Sequence, residues 1–149
     1  MIRVQETPFD VGAELAALTR GRTDIGGLAS FIGLVRDLAG ERPITAMTLE
    51  HYPGMTEKKL AEIEAEANRR WSLQASLIVH RYGRMLPGEP IVLVATAAPH
   101  RAAALEACTF LIDWLKTRAP FWKLEESPGT SHWVEARAGD DQAAARWRA

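Results

Sequence analysis

The chain has 149 residues, of which 47% are hydrophobic and 25% are charged, the composition of an ordinary globular protein with a sizeable core. Its formal net charge of −1 argues against a protein that coats nucleic acid or an anionic membrane, and no apolar run approaches the ~20 residues that cross a bilayer. The polar start MIRVQETPFD is unlike a signal peptide, and a single cysteine, Cys108, excludes a disulfide framework or a site of several thiolates. We therefore expect one cytoplasmic domain over residues 1–149.

The first part of the chain predicts a strand, a helix and a second strand. We expect a short strand at IRVQ, residues 2–5. Pro8 and Asp10 then open a helix over residues 11–19, with Asp10 as its N-cap. The stretch 25–35 is apolar and punctuated by glycine, which is typical of a buried strand with close backbone neighbours.

A polar loop at residues 36–43 separates that strand from the next one, which we expect at 44–52. Pro53 suits the first turn of the helix that follows. Four apolar residues of this helix recur at helical spacing, and the charged residues fall elsewhere. The apolar four are Leu60, Ile63, Ala67 and Trp71.

The second half begins with a strand at 75–82, a turn in MLPGEP and a β-branched run, IVLVATAA, that is typical of a central strand. A long helix follows over residues 101–118. Its apolar stripe consists of Leu105, Cys108, Leu111 and Leu115. Because Phe110 and Trp114 lie off that stripe, we expect this helix to be covered on more than one side, with another chain as one candidate cover.

Near the C-terminus, PFWKLEE and SHWVEAR flank SPGT, which predicts a hairpin. Residues 139–149 form either a marginal helix or a flexible tail. Strands and helices therefore alternate along the chain, without a Walker loop or a GxGxxG motif. This pattern predicts an α+β fold with mixed or mostly antiparallel pairing, and it gives no support to a nucleotide-binding fold.

Lysine is rare in this chain. The 18 basic residues include only four lysines, which are Lys58, Lys59, Lys116 and Lys123. The first two lie in a charged stretch typical of a solvated helix face, whereas Lys116 and Lys123 flank the proline turn of KTRAPFWK. An ammonium group can transfer a proton, which a guanidinium effectively cannot. Their position favours a chemical role for these two lysines.

Cationic side chains gather near the ends of predicted elements. They are Arg36, His100, Arg101, Lys116, Arg118 and Lys123. His100 and Arg101 begin the long helix, where free N–H groups and the helix dipole attract anions. Together these residues would suit an anionic ligand such as a phosphate or a carboxylate.

Spacing alone leaves a structural interpretation open for each of them. Arg36 can simply end a strand, and His100 can cap a helix. Lys116 can complement the dipole at a helix C-terminus. Alternation places Lys123 on the same strand face as Glu125, with which it can form a surface ion pair.

Other chemistries have weaker support. The four histidines, at positions 51, 80, 100 and 132, show no HExxH or paired ligand spacing, which argues against zinc. Cys108 lies in the apolar stripe of the long helix, where we expect a buried structural thiol rather than a nucleophile. The chain has no GxSxG motif.

Six segments carry a resemblance to a known family. They are FIGLVRD, LEHYPGMTEKKLAEI, HRYGRMLPGE, PHRAAALEA, DWLKTRAPFWKLE and HWVEAR. Along nearly its full length the sequence resembles the large, catalytic subunits of molybdopterin synthases, with these segments in the family's order. Ordered segments of this length are far more specific than a short motif.

The resemblance implies an α/β hammerhead-type domain with an added small antiparallel β subdomain. It also implies a sulfurtransferase that converts cyclic pyranopterin monophosphate into molybdopterin by adding the two dithiolene sulfurs. The sulfur donor would be the C-terminal Gly-Gly thiocarboxylate of a small ubiquitin-like subunit, whose tail enters a pocket of the large subunit. The assembly would be a heterotetramer around a homodimer of large subunits, and the step would need no metal or redox cofactor.

Carried over by position, Lys116 and Lys123 match the family's two active-site lysines, and Arg36, His100 and Arg101 match residues of its anion-binding pocket. A thiocarboxylate and a cyclic phosphate repel each other in one cleft unless cations intervene. The arginines and the histidine would hold phosphate or pterin oxygens. The lysines would engage the thiocarboxylate and stabilise the oxyanion that forms as its sulfur is transferred.

Two further positions match the family's pocket. Phe31 matches an aromatic residue near the inserted tail. Arg137 matches a basic residue that reaches the pocket from its own or from the neighbouring large subunit.

Two other functions would also use a tail-binding pocket. A non-catalytic module would dock the ubiquitin-like tail without needing the second lysine or a phosphate site. An acyltransferase or hydrolase acting on a Gly-Gly thioester would turn over the partner without pterin. Binding of cyclic pyranopterin monophosphate separates the synthase from both.

Overall fold

The computed structural model describes residues 1–134 and 138–148 of the chain. In chain order the elements are β1 (Ile2–Gln5), α1 (Val11–Thr19), β2 (Gly27–Leu34), β3 (Leu38–Ala39), β4 (Arg42–Pro43), β5 (Ala46–His51), α2 (Met55–Trp71), β6 (Ala75–Arg81), β7 (Gly83–Met85), β8 (Pro90–Ala98), α3 (Arg101–Arg118), β9 (Phe121–Ser127), β10 (Thr130–Val134) and α4 (Ala138–Ala145).

Four strands form the main sheet, in the order β1-β6-β8-β2. β1 runs parallel to β6, and the other two pairings are antiparallel. Helices α2 and α3 cover one face over a core that includes Leu60, Ile78 and Phe110, and α1 covers the other face against Leu77 and Leu93. Because β8 is buried on both faces, its sequence is a continuous apolar run rather than an alternating one. The predicted α+β fold with mixed pairing is confirmed.

The second sheet is antiparallel throughout, in the order β10-β9-β5-β7. Its own small core contains Met47, Leu49 and Met85, with Val35 from the segment after β2. This sheet is the small antiparallel subdomain that the resemblance implied. The short β7–β8 connection links this sheet to the main sheet. Strand β9 of the second sheet contains Lys123.

The long helix α3 begins and ends at the predicted residues, but one residue of the predicted stripe is misplaced. Leu105 is 58% exposed, whereas its neighbour Ala104 is buried. Phe110 is buried under Trp71 and Trp147, whose ring centroids lie 5.3 and 5.7 Å from its own. The second cover of α3 therefore comes from α2 and from the residues after α4, which belong to this chain.

Two local predictions are wrong for backbone reasons. The expected loop at 36–43 contains a small hairpin, because Gly40 adopts a φ of 64° that lets β3 turn back onto β4. Pro53 lies before α2 rather than in its first turn. Gly54 occupies the N-cap with a φ of 85°, and the Glu57 carboxylate accepts its N–H at 2.6 Å.

The C-terminal segment is helical over α4 and is anchored on α3. The carboxylate of Asp113 accepts hydrogen bonds from Arg146 at 2.7 Å and from the Trp147 indole at 2.6 Å. Asp113 is buried, so its charge needs these donors. Of the two predictions for the tail, the helix is confirmed for residues 138–145.

Candidate active site

The proline turn of KTRAPFWK joins α3 to β9. Lys116 is exposed in the last turn of α3, and Lys123 is partly buried in β9. Ala119 ends the helix in an extended conformation, and the carbonyl of Pro120 accepts a hydrogen bond from the Thr56 hydroxyl at 3.0 Å. This bond ties the turn to α2. The two lysines are therefore held on two regular elements that meet at one anchored turn.

Strand alternation sets the direction of Lys123. On β9 it shares a face with Phe121 and Glu125. Lys123 and Glu125 line a cavity of about 50 Å³ together with Arg36, which follows β2. The remaining wall is apolar and consists of Leu34, Val35, Leu38, Ile44, Met47 and Ile91. The structure thus brings Arg36 and Lys123, two of the predicted site residues, into one cavity.

A wider, open depression meets this cavity at Arg36. Its volume is about 670 Å³, and it lies between the β3–β4 hairpin and the β7–β8 turn. Its lining consists of Val35, Arg36, Asp37, Leu38, Gly40, Pro87 and Gly88. Because Arg36 lines both spaces, it stands at their junction.

Glu125 brings a negative charge into the cavity, and the side chains of an arginine and a histidine approach it. Its Oε1 lies 2.7 Å from Arg42 Nη2 and 3.6 Å from His132 Nε2. The sequence predicts no place in the site for Arg42 or His132. The hairpin register, which pairs His132 with Glu125, could have located the histidine. Arg42 comes from the segment predicted as a loop, so its approach to β9 has no sequence signal.

A buried histidine, His80 of β6, packs against the first residue of β9, and the sequence predicts no role for it. The imidazole is 5% exposed and stacks on Phe121, with 3.8 Å between the ring centroids. Burial lowers the pKa of His80 to about 4, and the charges of Lys116 and His51 act in the same direction. His80 is therefore neutral at pH 7.

His100 and Arg101 lie at the other end of α3. The helix has 18 residues, which at ~1.5 Å per residue separate its ends by about 27 Å. The strand pairing leads to the same separation. The end of β8, which precedes His100, pairs with Gly27 at the start of β2, whereas Arg36 follows the opposite end of β2. Within one chain, the structure does not bring these two residues together with Arg36 and the lysines.

The His100 end of the helix is open to solvent. His100 and Arg101 are both exposed, and His100 occupies the N-cap without a capping hydrogen bond from its side chain. The backbone beneath is tightly packed, because a Cβ on Gly26 would lie 1.9 Å from the carbonyl oxygen of Pro99. Both side chains are thus presented on a tightly packed backbone and face outward.

The other two predicted site residues have different outcomes. Phe31 lies on β2, an edge strand of the main sheet, and is 38% exposed. Its ring passes over Gly33, where a Cβ would lie 3.5 Å from the Cε1 atom of Phe31. Leu28 and Leu34 of the same strand are also exposed. Arg137 lies outside the described residues.

Features of several other functional classes are absent from residues 1–134 and 138–148. No helix in this part of the chain is long and apolar enough to cross a membrane. The same residues contain no group of three or more His, Cys, Asp or Glu side chains that could hold a metal ion. Cys108 is buried, and burial raises the pKa of its thiol to about 11, so it stays protonated at pH 7.

The chain is similar to known proteins of one family. Residues 4–118 match the family described as MoaE protein. A molybdopterin synthase catalytic subunit from Ralstonia nicotianae is 53% identical over 146 residues, which cover 98% of this chain and 83% of that one. The solved structure of a molybdopterin biosynthesis MoaE protein from Burkholderia ambifaria is 54% identical, with a TM-score of 0.84 over 99% of this chain and 97% of that one. A complex of subunits 1 and 2 of molybdopterin-converting factor from Helicobacter pylori shares the fold, with a TM-score of 0.76 at 20% identity over 91% of each chain.

Proposed function

The chain belongs to the MoaE protein family, and on that basis we propose that it acts as the catalytic subunit of a molybdopterin synthase. It is an enzyme of molybdopterin biosynthesis that transfers sulfur. Its substrate is cyclic pyranopterin monophosphate, and its sulfur donor is the C-terminal thiocarboxylate of a small ubiquitin-like subunit. The observation that carries the site assignment is that Lys123 and Arg36 line the same cavity, while Lys116 and Lys123 flank the turn that joins α3 to β9.

The small subunit's tail is proposed to enter through the depression at Arg36. The inner cavity, at about 50 Å³, is too small for large side chains, whereas a Gly-Gly segment carries none. Support for a two-subunit assembly comes from the Helicobacter pylori complex, which has the same fold. In this proposal the depression receives the body of the tail and Lys123 receives its terminal group.

The charges of the site suit two anionic reactants. Arg36 and Lys123 line one cavity and Lys116 stands across the proline turn, so an anion entering between them relieves cation–cation repulsion. Arg36 would hold phosphate or pterin oxygen. Lys116 and Lys123 would engage the thiocarboxylate and stabilise the negative charge that develops on its oxygen as the sulfur leaves.

We also propose that His100 and Arg101 act in the site of a second copy of the chain. They lie roughly 23 Å from Lys116 along α3, at about 1.5 Å per residue. β2 is an edge strand with three exposed apolar side chains, Leu28, Phe31 and Leu34, which suits a subunit interface. A two-fold axis at β2 exchanges the ends of the strand between the two copies, so the His100 end of one chain comes beside the Arg36 end of the other.

Reconstitution tests the proposed reaction. The chain is mixed with a thiocarboxylated small subunit and cyclic pyranopterin monophosphate, and formation of the dithiolene product is followed. A binding module would capture the tail without product, and an acyltransferase or hydrolase would consume the thiocarboxylate without pterin. Consumption that depends on pterin and yields dithiolene supports the synthase, and either of the other two results overturns it.

The cytoplasm is the proposed location of this reaction. The chain has a single cysteine, Cys108, which is buried. It therefore forms no internal disulfide that an oxidising compartment would stabilise. Fractionation of cells that express the chain with an epitope tag would test the location, and recovery in a secreted fraction would contradict it.

A further inference from the structure

A single buried hydroxyl group contacts the turn between the two lysines. Thr56 lies in the first turn of α2 and is fully buried. Its Oγ1 lies 3.0 Å from the carbonyl oxygen of Pro120, in the turn that joins α3 to β9. The backbone nitrogen of Tyr52, which follows β5, lies 2.9 Å from the same Oγ1. One side chain therefore connects the start of α2, the end of β5 and the turn flanked by Lys116 and Lys123.

The two partners of Thr56 fix the direction of both hydrogen bonds. A backbone N–H only donates, so Tyr52 donates to Oγ1. A carbonyl oxygen only accepts, so the hydroxyl proton of Thr56 points to Pro120. The backbone N–H of Thr56 in turn donates to the carbonyl oxygen of Tyr52 at 2.8 Å. Because threonine is also stiff at χ1, the hydroxyl is held in one orientation when it reaches the turn.

The change of direction between α3 and β9 is concentrated at Pro120. The N–H of Ala119 donates to the carbonyl oxygen of Leu115 at 3.3 Å and closes the helix. The N–H of Phe121 donates back to the carbonyl oxygen of Ala119 at 3.0 Å, which makes a tight three-residue turn around Pro120. The peptide between Pro120 and Phe121 is therefore held on both sides, by Thr56 at its carbonyl and by Ala119 at its N–H.

We propose that Thr56 is a positioning residue for the two lysines. Its hydroxyl sets the orientation of the peptide after Pro120, and thereby the direction of Lys123 on β9 relative to Lys116 on α3. Groups that act together on one reacting centre have to be held to a fraction of an ångström, so a rotated peptide in this turn slows the chemical step. This inference rests on the proposed function, and it gives buried Thr56 no contact with the substrate.

Two substitutions of Thr56 separate positioning from packing. Thr56→Val keeps the shape of the side chain but leaves the Tyr52 N–H and the Pro120 carbonyl without their shared partner. Thr56→Ser keeps the hydroxyl and removes only a methyl group. In the reconstituted complex we expect Thr56→Val to have a kcat about tenfold below wild type and an unchanged KM for the small subunit. Thr56→Ser should recover most of the lost kcat.

Ile63→Val is the control for lost stability. Ile63 is buried in the core about two turns further along α2, so this substitution weakens packing on the same helix away from the lysine turn. It should lower the thermal stability of the chain and keep kcat. The proposal is overturned if Thr56→Val keeps wild-type kcat, if Ile63→Val is equally slow, or if Thr56→Ser recovers nothing.

NMR of the lysine side chains tests the placement without turnover. Since the chain has only four lysines, ¹³Cε labelling gives few signals in the complex with an unthiolated small subunit. The signals of Lys116 or Lys123 should move in Thr56→Val, return in Thr56→Ser and stay in place in Ile63→Val. Signals of both lysines that are unchanged in Thr56→Val overturn the proposal.

Two failures have separate meanings in this design. If Thr56→Val does not fold, Thr56→Cys takes its place in both tests, because a thiol donates and accepts only weakly. A wild-type complex that forms no product would refute the proposed function instead, and the lysine signals would still show whether Thr56 holds the turn.

Discussion

The two ends of α3 carry cations of different kinds in different surroundings. At the N-terminal end, His100 and Arg101 are exposed, and within the described residues neither side chain forms an ion pair or a capping hydrogen bond. At the C-terminal end, Lys116 is followed by the turn into β9, whose first residue, Phe121, stacks on buried His80, and Lys123 of that strand lines a cavity. The first end presents both of its side chains to solvent, whereas after the second end the chain places Lys123, partly buried, in a cavity.

This difference suggests how the proposed site divides its tasks. Exposed basic side chains at a helix N-terminus can bind an anion, because the helix dipole and the free backbone N–H groups also attract it. Cations fixed by their neighbours can act on a developing charge without first reorganising. Since about 27 Å separates the two ends in one chain, the two tasks meet only where a second copy brings its N-terminal end to the site.

Loss of either lysine should have the largest effect on activity. Lys116→Ala and Lys123→Ala should each reduce sulfur transfer by about a hundredfold or more, because each removes a cation that stabilises the charge of the reacting group. Binding of the small subunit, measured by calorimetry, should persist. Lys59→Ala is the matched control, since Lys59 only forms a surface pair with Glu62 at 3.4 Å. Near-full turnover in both site variants would show that Lys116 and Lys123 are not catalytic residues.

Mixing two inactive chains tests whether the ends meet between copies. Lys116→Ala and Arg101→Ala should each be strongly impaired alone. In a mixed dimer one site combines both defects and the other has neither, so random assortment at equal amounts should restore about a quarter of wild-type activity. A mixture no more active than its parents would mean that Arg101 serves the site of its own chain or no site at all.

Arg36 should matter less than the lysines. Arg36→Ala should raise KM for the pterin substrate by about tenfold with a smaller change in kcat, because a charge-assisted hydrogen bond to a ground-state anion is lost. Arg118→Ala is the control, since Arg118 lies over the ring of Trp114 at 3.7 Å, near the same turn. Steady-state kinetics distinguishes the two, and equal effects would show that general charge, not the cavity, holds the substrate.

The smallest expected effect is on the pH dependence of the free energy of unfolding. It compares buried His80 with exposed His100. The pKa of His80 falls from 6.5 to about 4 on folding, so between these values the unfolded chain binds a proton that the folded chain does not. Stability is therefore lost as pH falls from about 6.5 to 4, by at most about 1.4 kcal/mol per pH unit from this group. Denaturant unfolding at several pH values should show a shallower slope in His80→Phe. Exposed His100→Asn should keep the wild-type slope, and an unchanged slope in His80→Phe would contradict this account.

Much of the fold was predictable because it depends on local patterns. The ends of α1 and α3 follow from Asp10, from the run of helix formers and from the proline after residue 118. The failures lie where glycine conformation or packing decides. Gly40 and Gly54 adopt positive φ angles that the neighbouring sequence does not predict. Leu105 is exposed although its spacing fits the buried stripe.

For the site, the amino-acid sequence is enough to predict which residue types stand at the ends of elements and that Lys116 and Lys123 flank one proline turn, because both are local properties of the chain. Which of the cations share a cavity depends on the tertiary fold. It brought Arg36 and Lys123 to one cavity, placed His100 and Arg101 at the far end of α3, and stacked His80 on Phe121. The reason is that pairing of β2 with β8 and the length of α3 set distances between residues far apart in sequence, which no local spacing encodes.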